Sequence, residues 1–261
     1  MNMRSVMLVG LGTTLGYFQG IGNIERVSCL TAAQREILSH LSIVYLDDGS
    51  GAAVNKTIRL TGANLQVVNG TGMTDTQNGI GNLVLGYNEL FGAGDRTGSH
   101  NLVTGSSNDY SSYGGVLSGS GNGLHGPFSS ILGGSGHAIQ LGGGHSVVLG
   151  GGLAVVEQGR CVVVGGRANV AAGTESVVLG GEGNRTDSDF SVSLGGASNQ
   201  ALGIASTICG GSSGVAGGTL SVVTGGQSNQ ANGDHSSVGG GLSRTATGSH
   251  DFVAGTLFED N

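Results

Sequence analysis

The chain is poor in what most folded enzymes and nucleic-acid binders need. A single lysine, Lys56, preceded by Val54-Asn55, leaves no P-loop to cradle phosphate. Ten Lys and Arg against seventeen Asp and Glu give a net charge of -7. That balance provides no basic stripe for a phosphate backbone, so no nucleic-acid partner is expected, and the acidic excess serves solubility. One proline, Pro127, and no three-residue glycine period exclude collagen. Three cysteines, Cys29, Cys161 and Cys209, cannot make a disulfide framework. No apolar run is long enough to span a bilayer, so no transmembrane segment is expected.

What the chain has in excess is glycine: 55 of 261 residues, with 37% apolar content. From the middle onward the glycines keep a strict period of fifteen, at Gly150, Gly165, Gly180, Gly195, Gly210, Gly225, Gly240 and Gly255. Each closes a short apolar strand such as Ser176-Val177-Val178-Leu179-Gly180, and looser copies end at Gly86, Gly105, Gly119 and Gly134. A unit this short cannot bury its own apolar face and must stack on its neighbours. The expected fold is therefore all-β, a parallel β-solenoid or β-roll of about twelve coils. At about 4.8 Å per coil it would form a rod of roughly 55–60 Å. Cys161 and Cys209, three coils apart, would be separated by roughly 14 Å and unable to bridge. They read as small apolar substitutes for Val or Ser.

The consensus is Ser-Val-Val-x-Gly-Gly-x-x-Asn-x-Ala-x-Gly-x-x. Its ninth position carries Asn169, Asn184, Asn199 and Asn229; its eleventh, Ala171, Ala201, Ala216, Ala231 and Ala246; its thirteenth, Gly173, Gly203, Gly218, Gly233 and Gly248. Glycine and asparagine tolerate positive φ, so these positions are expected to turn the backbone. Stacked asparagines can also form amide ladders along the axis. Each coil thus reads as two short strands and two glycine-based turns.

In the strand, the third position is large and apolar: Val84, Val103, Leu117, Leu132, Val148, Val163, Val178, Ile208, Val223, Val238, Val253. The second is mostly apolar as well, at Val147, Val162, Val177, Val192, Val222 and Phe252. Adjacent strand residues point to opposite faces. One set can fill the interior; the other leaves a long apolar stripe that soluble monomers avoid. The simplest cover is an identical chain, and a homotrimer sets three stripes around one axis.

Upstream, Leu30 to Leu41 reads as the one helix, with Thr31 and Gln34 at capping-box spacing and Ile37, Leu38 and Leu41 as its apolar face. Ile43 to Leu46, Thr57 to Leu60 and Leu65 to Val68 read as strands, with Asp47-Asp48-Gly49 as a turn. The resulting organisation is a leader or N-terminal strand segment (1–29), a helix-and-strand adaptor (30–80), the repeats (81–255) and a tail (256–261). The start supports two readings. It is either a weak signal peptide, with Arg4 and the apolar run Val6 to Leu11 but no Ala-x-Ala site, or a retained strand, Ser5 to Gly10, resembling the repeat. As a strand it would cap the roll or pair with the next molecule's edge in an end-to-end polymer.

Ser191-Val192-Ser193-Leu194-Gly195, followed by Ala201 and Gly203, resembles the YadA-like head repeat of trimeric autotransporter adhesins, with one extra residue between its halves. The likeness spans roughly residues 79–255 and rests on period, glycine positions and alanine position together. It implies a left-handed parallel β-roll, three rolls side by side, and an adhesin head at the cell surface or outside the cell, presenting a multivalent surface to a glycan or matrix protein. The departures are a fifteen-residue rather than fourteen-residue unit, no long heptad stalk, and an end at Thr256 to Asn261 without room for a membrane barrel. The alternative is a self-polymerising filament subunit or a tail-fibre component of a phage-like or injection system.

Nothing points to an enzyme, a catalytic residue set or a cofactor. Gly210-Gly211-Ser212-Ser213-Gly214 matches Gly-x-Ser-x-Gly, but in a solenoid turn rather than a strand-to-helix elbow. Gly180 to Asn184 lacks the aspartate that calcium-binding repeats use. His145, His235 and His250 share the last repeat position. The last two fall on successive coils, about 5 Å apart, either as a weak metal site or as a solvated rim.

Overall fold

The computed structural model describes residues 30–51, 53–90 and 94–255. Ser5 to Gly10, Cys29 and the tail from Thr256 lie outside them. The chain divides into two units, one up to Leu65 and one from Gln66.

The first unit contains α1 (Ala32–Ser39), β1 (Leu41–Asp47) and β2 (Ala53–Leu60). The Thr31 hydroxyl accepts the Gln34 N–H, and the Gln34 side chain accepts the Thr31 N–H, which satisfies two free donors of the first turn. The helix is eight residues long, shorter than the sequence pattern implied, because the chain enters β1 directly after His40. β1 and β2 pair antiparallel, Ile43 opposite Ile58 and Leu41 opposite Leu60. The Asp47 carboxylate closes their turn by accepting the N–H groups of Gly49 and Gly51 at 2.8 and 3.0 Å. No described residue of this unit is buried. Leu65 to Val68 is not a strand; from Gln66 the chain belongs to the second unit.

The second unit is a parallel β-solenoid. A twelve-stranded sheet and a ten-stranded sheet form its two main walls, and a row of isolated parallel bridges forms a third line. Twelve strands in one wall bound about eleven turns. Val147 pairs with Val162 and Val162 with Val177, an offset of fifteen at each step. The earlier coils are irregular: Val103 pairs with Leu117 and Leu117 with Ile131, but Ile131 pairs with Val148. Ile131 therefore takes the inward third position expected of Leu132, which is 47% exposed. The seventeen-residue step to the next strand absorbs the difference.

Four columns fill the interior. The third-position column (Val148, Val163, Val178, Val223, Val238) and the eleventh-position column (Ala171, Ala201, Ala216, Ala231) are fully buried and apolar. Between them lie two buried polar columns, serine at position one (Ser176, Ser191, Ser206, Ser221) and asparagine at position nine. Thr186 and Ser193 interrupt the apolar columns and divide the core into two clusters.

The ninth-position asparagines Asn169, Asn184, Asn199 and Asn229 do not bond side chain to side chain as an amide ladder would require. The Asn184 Oδ1 accepts the Asn199 N–H at 3.1 Å. Its Nδ2 donates to the Gly180 carbonyl of its own coil and the Gly196 carbonyl of the next, at 3.1 and 3.0 Å. Asn169 and Asn199 make the same three bonds; Asn229 does so with Arg244 as the N–H donor. Each amide clips its own turn to the coil above it and satisfies buried backbone groups.

The turns also differ from expectation. Gly180 and Gly181 have φ of 84° and 77°, as predicted for glycine. The thirteenth-position glycines do not have positive φ; they are small because coils stack there. A Cβ on Gly218 would lie 2.1 Å from the Gly233 carbonyl oxygen. The sharp left-handed corners fall instead at positions eight and fifteen, on Ser198, Ser213, Glu175, Phe190, Leu220 and others, with φ between 53 and 65°. There the hydrogen bond reverses: Phe190 N–H donates back to the Thr174 carbonyl and Ser213 N–H to that of Ala197, both at 2.9 Å.

Candidate functional site

The outward side of the twelve-stranded sheet is the most distinctive surface. Position two supplies Val147, Val162, Val177, Val192 and Val222, all half-buried, and position four supplies Leu132, Leu149, Val164, Leu179 and Leu194, all exposed. Leu179 is 42% exposed. No strand of this wall carries a charged residue in either column. The third-position valines, Val148, Val163, Val178, Val223 and Val238, face inward with at most 1% exposure, and Val253 packs against the same core. They are the core; the outward stripe is made by the second and fourth columns. The fourth column escaped the sequence reading, although Leu149, Leu179 and Leu194 already share the fifteen-residue spacing.

The other wall is different in kind. Its outward positions include Glu157, Arg185, Asp187, Gln200 and Gln230, and Arg185 pairs with both Glu157 (3.6 Å) and Asp187. Two more ion pairs, Arg160–Glu175 at 3.1 Å and Arg167–Glu182 at 3.2 Å, join successive coils at the corners. All are substantially exposed and contribute little to stability.

Four of the seven histidines fall into three situations on the surface. His235 and His250 stack with ring centroids 4.9 Å apart and planes 6° off parallel, on successive coils. No group of three or more His, Cys, Asp or Glu among the described residues is placed to hold a metal ion, so the pair has no third ligand there. His145 stacks on Phe128 at 5.4 Å, with Tyr113 edge-on to the same phenyl ring.

His125 bridges Ser111, whose hydroxyl lies 2.8 Å from Nδ1, and Asp109, whose carboxylate lies 3.4 Å from Nε2. Its ring crosses Gly123, where a Cβ would come within 2.9 Å of both the Asp109 carboxylate and the imidazole. Burial pushes the Asp109 carboxyl above the usual range, and the neighbouring imidazole opposes that shift. The cluster sits on an open strand face and ties two coils together. The Gly-x-Ser-x-Gly match at Gly210 to Gly214 lies in a solenoid corner with Ser213 at φ 55°.

Cys161 is buried in the serine column, its thiol facing the Gly173 carbonyl, while Cys209 is exposed in the fourth column of the apolar wall. No helix among the described residues is long and apolar enough to cross a membrane. The fold thus defines a β-solenoid protein with one apolar and one polar wall. No protein-family model and no curated protein matches the chain.

Proposed function

We propose that the protein is a non-enzymatic structural module of the cell surface or extracellular space. In this reading it is a homotrimeric, left-handed β-roll, a fibre or adhesin head, whose polar flanks present a repeated surface to a glycan or matrix-protein ligand. The observation that carries this is the charge-free outward face of the twelve-stranded wall. The face runs roughly 50 Å at about 4.8 Å per strand. Both of its columns are apolar without a break from Val147 to Leu194, while Thr104, Ser118, Ser130, Thr207, Thr224 and Ser237 interrupt it elsewhere. A contiguous exposed apolar patch marks an interaction surface. Three copies around an axis would cover it and leave the ion-paired wall outside. Weak sites repeated on three flanks would then gain avidity without any single strong pocket. The first unit supports association too: a helix and a two-stranded hairpin with no buried residue cannot be stable alone. The likeness to YadA-like heads is consistent with this reading.

The test is the mass of the native particle by analytical ultracentrifugation. Three chains of 25.7 kDa are expected, with Cys209 cross-linking between copies on mild oxidation. A stable monomer would overturn the reading. Glycan and matrix-protein arrays probed with the intact trimer test the adhesin part; uniform absence of binding would count against it.

A second reading, a self-polymerising filament or tail-fibre subunit, draws on the last described coil, where Phe252 is 74% exposed and Val253 only partly covered. Electron microscopy separates the two: discrete rods for the first, continuous filaments for the second.

A further inference from the structure

The segment Gln66–Gly81 lies along the first coils of the solenoid and is held there by few, specific contacts. Gly79 N–H donates to the Thr97 carbonyl at 2.8 Å and Asn78 N–H to the Ser99 hydroxyl at 3.1 Å. Asn69, only 3% exposed, organises the segment itself. Its amide donates to Thr76 and accepts the Thr71 N–H at 3.0 Å, while its carbonyl accepts the Asn78 side chain. The Ser99 hydroxyl also donates to the Asn78 Oδ1 at 3.1 Å. A further tie is His100, 31 residues away from Asn69 in sequence, which accepts the Asn69 N–H on Nε2 at 3.1 Å. Its Nδ1 lies 3.2 Å from the Thr74 carbonyl.

These partners fit one tautomer of the ring. A backbone N–H only donates, so Nε2 must be bare; a carbonyl only accepts, so Nδ1 must carry the hydrogen. In that tautomer both ring nitrogens are used. A proton added at Nε2 would face the Asn69 N–H donor to donor and break that contact, and the neutral ring is what clamps the segment.

We propose that His100 is an acid-operated latch on the Gln66–Gly81 strap: neutral, it pins the strap; protonated, it releases it and uncovers the backbone of the first coil. Histidine is the side chain that ordinarily changes charge between about pH 5 and 8. A cleft of about 450 Å³ between strap and coil, lined by Gln66, Val68, Asn69, Met73, Thr74 and His100, gives water and protons access to the ring. The imidazole is its only titratable lining group. The charged residues nearest in sequence are Asp75 in the strap, Asp95, whose carboxylate is engaged by Thr97, and Arg96, which donates to the Asn88 and Asn108 carbonyls. None of these replaces the Asn69 contact.

Amide hydrogen exchange across residues 69–79, corrected for intrinsic rates, tests the latch on the full chain at about pH 7.5 and about pH 5. The expected result is at least an about tenfold loss of protection at the lower pH in the wild type, the same loss in His137→Asn, and none in His100→Gln, whose amide can accept and donate without titrating. Unchanged protection in the wild type, or an acid response that persists in His100→Gln or disappears in His137→Asn, would overturn it. Nitrogen chemical shifts of the wild-type ring decide independently of any variant's folding: a protonated Nε2 at about pH 7.5 refutes the latch.

Discussion

At the scale of single residues, glycine serves two separable purposes in this chain, and substitution can tell them apart. Gly218 is needed for stacking: its Cβ would meet the Gly233 carbonyl at 2.1 Å, a backbone atom that cannot rotate away. Gly225 opens onto free space, with nothing within 4 Å of where a Cβ would lie, and has no left-handed φ. Gly218→Ala is therefore expected to cost at least about 3 kcal/mol, and Gly225→Ala less than about 1 kcal/mol, in thermal melts. Equal effects would refute the stacking account.

His137 offers a second test. It stands in the asparagine column after Asn122 and accepts the Ala154 N–H on Nδ1 at 3.1 Å, as an asparagine oxygen does elsewhere. It is 1% exposed and its Nε2 has no partner within hydrogen-bonding distance and angle. Burial pushes its pKa below the ordinary 6.5, against a smaller upward influence from the Gly151 carbonyl. The folded chain then binds fewer protons than the unfolded one just below pH 6.5. Stability from this site is complete above that pH and is lost as pH falls toward the lowered folded value. His137→Asn should flatten the melting temperature between about pH 7 and 5 relative to the wild type. A parallel shift of both curves would show that this ring is not the titrating group.

At the scale of the coil, stability comes from columns that agree from one turn to the next, and the weakest level is where agreement fails. Ser193 occupies a position held by Val178 below and Ile208 above, and its buried hydroxyl has no partner. It is followed eight residues on by the buried Ala201, as the buried Val223 is by Ala231, so a valine at 193 would repeat a combination that another coil already holds. Ser193→Val should join the two core clusters and add about 1–2 kcal/mol, seen by calorimetry as a higher and sharper transition. The asparagine clips act the other way. Asn199→Ala removes bonds to Gly195, Gly211 and Gly214 together and should cost about 3 kcal/mol or more, since it leaves buried backbone groups unpaired.

At the scale of the whole molecule, the contrast between the two walls sets the expectation for assembly. Leu179→Glu places a charge in the middle of the apolar wall and should convert the proposed trimer to monomer in sedimentation experiments. Gln200→Glu, on the ion-paired wall, should leave the mass unchanged. Identical behaviour of the two variants would remove the apolar wall from the interface. The repeated corners and weak surface ion pairs offer nothing comparable as a self-association surface.

The fifteen-residue period, the parallel solenoid and the capped helix were legible in the amino-acid sequence. Each depends on a spacing that one chain segment carries by itself. The alternation of apolar residues left open which strand column faces inward and gave no sign that the alanines do. The shift from Leu132 to Ile131 was not legible, because Ser-Ile-Leu-Gly-Gly satisfies the strand pattern in either register and only pairing with Leu117 and Val148 chooses. Nor were the left-handed corners at Glu175 and Phe190, residues with no local preference for positive φ; they are held there by hydrogen bonds to the preceding coil. The same holds for His100 and Asn69, which meet only because the strap folds back. What local chemistry determined was the unit and its repetition. What the stacked structure alone decided was which atoms of neighbouring units touch, since contact across coils depends on register and not on sequence spacing.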